Sequence, residues 1–224
     1  MKLKKIASLA LAGVMAVSML AGCSNGTKPE DDKKDPAVNT GLTGNVIAAL
    51  DEDTTKNVEF TADSNLEAVL KKAVQNAGSD WNGVNGITYS DLTAIDPDLG
   101  NSNKLTAVGT SDGNKDDDKK ESKAVFVEKV QGQGKNAATI ANDLAKKIDN
   151  RKDFVVIDGS DYGWEKLPAY SMDYKDNDGK DFWYDFDYTA GVAVVEVTDA
   201  VTGETNYIVA VNVVRTATQT YKHA

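Results

Sequence analysis

Apolar side chains recur at Leu66, Val69, Leu70, Ala73, Val74 and Ala77, the rhythm that lays one stripe along one face of a helix. Ser64-Asn65-Leu66-Glu67 has the form of a capping box at its start, and Gly78 stands where the helix would end. The same rhythm returns at Ala137, Ile140, Ala141, Leu144, Ala145 and Ile148. The last third changes period. Gly191 to Thr198 and Asn206 to Thr216 are valine-rich and flank a glycine-containing turn, 199–204, so they read as a hairpin. Alternation places Val192, Val194, Val209 and Val211 on one face and Val195, Val197 and Ile208 on the other. Two apolar faces predict central strands of a covered sheet. The fold class expected is α+β, a largely antiparallel sheet packed by two amphipathic helices.

A second hairpin is predicted around Asn177-Asp178-Gly179. A two-residue loop would set Asp176 against Asp181, a like-charge pair. A three-residue loop with Gly179 in the left-handed region sets Asp176 against Lys180 and Lys175 against Asp181. It also gathers Tyr170, Met172, Tyr174, Phe182, Tyr184 and Phe186 on one face. The opposite face then carries Ser171, Asp173, Trp183, Asp185 and Asp187. An outward tryptophan among carboxylates offers a flat apolar platform with hydrogen-bond acceptors, which suits a sugar or a cationic peptide. Tyr162, Trp164 and Glu165 would extend it. The alternative is that a loop or helix covers Trp183 and the acids keep a sheet edge soluble. Nine of the chain's 16 aromatic residues fall between Tyr162 and Tyr188, which is why the binding reading is placed here.

The chain's first residues are of another kind. Lys2, Lys4 and Lys5 precede an uncharged apolar run, Ile6 to Leu20, too short for a helix that must cross about 30 Å of hydrocarbon. It ends in Leu20-Ala21-Gly22-Cys23, which resembles the lipobox of bacterial lipoproteins. That resemblance covers residues 1–23 only. It implies removal of 1–22, a diacylglycerol on the Cys23 thiol, and an extracytoplasmic protein anchored to the cell membrane. Residues 23–40 are polar and read as a flexible tether, and 41–224 as the α+β domain. A polar run, 111–122, is either a long loop or a subdomain boundary.

Loss of 1–22 leaves 22 basic against 35 acidic residues, a net of −13, which argues against nucleic acid and anionic lipid headgroups as partners. Cys23 is the only cysteine, so no internal disulfide forms. His223, the only histidine, stands next to the C-terminus, which removes histidine-based triads. Gly132-Gln133-Gly134 lacks the rest of a phosphate-binding signature. A calcium loop would use Asp176, Asp178, Gly179 and Asp185, but Tyr174 would stand at its first position and Asp185 where a bidentate glutamate belongs. No metal or cofactor is therefore expected. Asp161, Glu165, Asp185 and Asp187 would be the nominees of a carboxylate hydrolase, yet acids are frequent enough here to adjoin without catalytic purpose. The expected function is non-enzymatic: a lipid-anchored binding or interaction module at the bacterial cell surface, for glycans or wall components. The alternative is an accessory lipoprotein docking a membrane transporter or wall-assembly complex.

Overall fold

The computed structural model describes residues 41–221 apart from 79–80, 82–85, 101, 106–118, 153, 158–159, 172, 177 and 200–201. The signal segment, Cys23, the tether, most of the 111–122 run and His223 lie outside the described residues, as does Met172. Elements run α1 (Gly41–Ala48), α2 (Glu52–Thr55), β1 (Val58–Ala62), α3 (Ser64–Ala77), α4 (Tyr89–Thr93), β2 (Lys119–Gln131) and α5 (Ala137–Asp149). They continue with β3 (Val155–Ile157), β4 (Ser160–Tyr162), β5 (Tyr174–Lys175), β6 (Asp181–Thr198) and β7 (Thr205–Tyr221).

Five strands form one mixed, mostly antiparallel sheet in the order β1-β6-β7-β2, with β5 also on β6. The two predicted hairpins share a strand. Residues 181–198 are continuous, so β6 pairs with β5 through one tight turn and with β7 through another. β1 lies beside the inner half of β6 and parallel to it, Val58 opposite Tyr188 and Ala62 opposite Val192. β3 and β4 make a separate two-stranded ribbon. The last four residues of the polar run belong to β2.

The alternation along the valine strands is as the sequence requires. Val192, Val194, Val209 and Val211 join one core with Ile140, Leu144 and Ile148 of α5. Val195, Val197 and Ile208 join another with Leu66, Leu70 and Val74 of α3. Among the described residues, three further short α-helices, α1, α2 and α4, add to the two read from periodicity.

Helix α3 is capped one residue earlier than the box pattern indicates. Asp63 Oδ1 accepts from the N–H groups of Asn65 and Leu66, both at 3.0 Å. Ser64 is already in the first turn. The Asp63 N–H donates to Val192 O at 2.9 Å, which seats the helix start on β6 over Gly191. A Cβ at Gly191 would meet Asp63 Oδ2 at 2.6 Å and Asp63 Cβ at 3.0 Å. Gly191→Ala is expected to push the cap off its helix and cost about 1–3 kcal/mol in urea unfolding. An unchanged midpoint would show that this close approach is not a constraint.

Candidate functional site

The turn between β5 and β6 has the three-residue register. Tyr174 opposes Phe182 and Lys175 opposes Asp181, their side chains bridged at 2.7 Å. Hydrogen bonding to Asp181 pushes the Lys175 pKa up. Asp176 N–H donates to Lys180 O at 2.9 Å, and Gly179 has φ 78°. The Asp176 carboxylate is used inside the loop, Oδ1 accepting from the N–H groups of Asp178 and Lys180 at 2.9 and 2.8 Å. Asp185 is engaged elsewhere, on the strand. No group of three or more metal-ligating side chains comes together among the described residues.

Beyond Tyr174 strict alternation fails. Tyr170 stands opposite Asp185, with one more residue between Tyr170 and Tyr174 than between Phe182 and Asp185. This is the signature of a bulge, which turns side chains to the other face. Two expectations are thereby reversed. Ser171, expected outside, is buried, its N–H donating to Tyr184 O at 2.8 Å and its Oγ accepting from the Tyr184 N–H at 2.9 Å. Tyr170, expected in the aromatic layer, is 66% exposed.

The outer face of β6 carries Trp183, Asp185 and Asp187 in successive outward positions, opposite Thr220, Thr218 and Thr216 of β7. Both aspartates are exposed and Trp183 is partly so. The indole is held by its neighbours. Trp183 Nε1 donates to Asp185 Oδ1 at 2.9 Å, and Thr220 Oγ1 donates to Asp185 Oδ2. One carboxylate thus fixes a ring on its own strand and a hydroxyl on the next, leaving further lone pairs toward solvent. Asp173 is exposed just before β5.

The proposed extension goes elsewhere. Trp164 is 2% exposed, its Nε1 donating to Ile148 O at 2.7 Å and its ring 4.2 Å from that of Phe154 and 5.2 Å from that of Phe60. Tyr162 packs partly buried against the same core. Both contribute to the α5 side of the sheet, whereas Trp183 faces away from it, so neither joins the outward surface. Glu165 is exposed in the short turn after β4, and Asp161 lies within β4.

On the inward side of the same hairpin end lies a feature not anticipated from sequence. Arg215 is buried at 1% exposure, its guanidinium carbon 4.8 Å from the Phe186 ring centroid. Burial pushes the Tyr188 phenol up to about 12, although the adjacent Arg215 charge pulls the other way. The available signal is an arginine at an inward position of β7, opposite Tyr188 in the alternating aromatic run of β6. Alternation alone does not mark it as buried, because charged residues rarely sit fully inside. No protein-family model matches the chain, and neither a curated protein nor a solved structure matches it.

Proposed function

We propose that this chain is a lipid-anchored, extracytoplasmic binding module at the bacterial cell surface, acting on glycans or wall components through the outer face of the β6–β7 hairpin. In this reading Cys23 carries the lipid and residues 23–40 are the tether. The amphipathic helices α3 and α5 clamp opposite faces of the inner half of the sheet, and the outer half is the working surface. The single observation that carries the reading is Trp183, partly exposed and fixed through Nε1 to Asp185, with the Asp187 carboxylate beyond it. A rigid aromatic held in water contributes contact area at small ordering cost.

Quenching by neutral acrylamide of the full chain in detergent micelles tests the surface. Trp81 and Trp164 are each 2% exposed, so the quenchable emission is expected to come from Trp183 and to vanish in Trp183→Phe. On a glycan array Trp183→Ala is expected to lose retention by about tenfold or more. Retention of glycans unchanged by Trp183→Ala would remove the site, and quenching unchanged by Trp183→Phe would place the indole out of reach of solvent.

A further inference from the structure

We infer that Tyr170 and Trp183 form a two-ring platform whose ligand is an uncharged oligosaccharide of at least two sugar rings; this rests on the glycan-binding reading above. The bulge is the starting observation. Alternation from Tyr174 would place Tyr170 in the aromatic layer with Phe182 and Tyr184, where burial would stabilise it. The extra residue instead sends a serine inward, satisfied through the Tyr184 N–H, and brings a tyrosine out to 66% exposure beside Asp185. Bulges that re-aim a side chain in this way concentrate near functional sites.

Asp185 is the cross-strand neighbour of Tyr170, and Trp183 is two positions along the same strand and face. The two rings are therefore diagonal neighbours, with backbone positions separated by about 7–8 Å. Rings so placed meet successive sugars of a chain, each presenting its apolar C–H face to one ring. Between them stands a carboxylate already oriented by Trp183 Nε1 and Thr220 Oγ1, and Thr218 lies directly across from it. These groups accept from and donate to sugar hydroxyls. The carboxylates of Asp173, Asp185 and Asp187 carry charge of the same sign as an acidic glycan and repel it.

The test uses the full chain in detergent micelles on an array of uncharged oligosaccharides, their monosaccharides, acidic oligosaccharides and a lysine-rich peptide. The uncharged chains of two or more rings are expected to bind at least about tenfold better than their monosaccharides. Tyr170→Ala is expected to remove that advantage while leaving the monosaccharide signal, and Tyr170→Phe to keep it. Tyr170 is exposed, so an unchanged melting temperature in Tyr170→Ala shows that the fold persists. Chain binding lost in Trp183→Ala but kept in Tyr170→Ala overturns the two-ring platform and leaves the Trp183 site standing. A preference for acidic glycans or for the peptide overturns the ligand class. No glycan binding by the unaltered chain overturns the function proposed above, and the platform with it.

Discussion

Trp164→Ala is expected to destabilise the protein by about 3–5 kcal/mol, the largest effect of any single change considered, and to lower the melting temperature by roughly 10 °C or more. The indole is the common neighbour of three phenylalanines, Phe60 of β1, Phe126 of β2 and Phe154 ahead of β3, at centroid distances of 5.2, 6.2 and 4.2 Å. Removing it opens a cavity between the main sheet, α5 and the β3–β4 ribbon that rigid neighbours cannot fill. Trp164→Phe keeps most ring contacts and loses the N–H bond to Ile148 O. That carbonyl still accepts from the Arg151 N–H at 2.9 Å, so nothing is orphaned and the cost is about 1 kcal/mol. Equal losses in the two variants, read by denaturant unfolding, would show that the hydrogen bond rather than the packing carries the contribution.

Alkaline unfolding supplies the second large effect. Tyr188 ionises at about 12 in the folded protein, against 10.0 for an ordinary phenol, because burial opposes the phenolate. The folded state therefore keeps a proton that the unfolded chain releases. Its contribution is fully present below pH 10 and is lost as pH rises through 10 to 12, amounting to about 3 kcal/mol. Tyr188→Phe removes this part of the slope and leaves that of Tyr207, whose phenol is also pushed up by burial. At neutral pH the variant loses the hydroxyl bond to Pro168 O, 3.1 Å long, at a cost of about 1 kcal/mol. Stabilities measured across that pH window should cross as pH rises, the variant starting about 1 kcal/mol below the unaltered protein and ending about 2 kcal/mol above it. Parallel loss of stability would show that another group titrates there.

Features of this fold set by short-range forces are legible in the sequence, and those set by long-range packing are not. Helix α5 and the register at Lys175–Asp181 depend on spacing and neighbouring charges, and both are as read. The pattern sets the cap of α3 one residue late because Asp63 and Ser64 are both good capping residues and only their backbone geometry separates them. Nothing in the residues from Tyr170 to Tyr174 marks an inserted residue, so the change of face is illegible and simple alternation puts Tyr170 in the core. Trp164 sits in a single turn of 3-10 helix, too short for any periodicity, and its burial is decided by partners from four distant segments. Of the candidate face, Trp183, Asp185 and Asp187 were legible because they lie on a regularly alternating strand. Tyr162 and Trp164 were not, because their placement depends on tertiary packing alone.

The parallel pairing of β1 with β6 bears on the order in which the chain can assemble. The first strand must find Tyr188 to Val192, and β2 must find β7, so neither has its sheet partner until the last third of the chain has been made. Closing such long loops early is entropically costly. β6 and β7 need no such search, since their ends meet through Asp199 to Glu204, with Asp199 N–H donating to Glu204 O at 2.8 Å. The hairpin is thus the template on which the earlier segments condense, and a chain emerging N-terminus first carries an incomplete sheet until its final strands arrive. Through that interval β1 and β2 are open strand edges that must be kept from pairing with other chains.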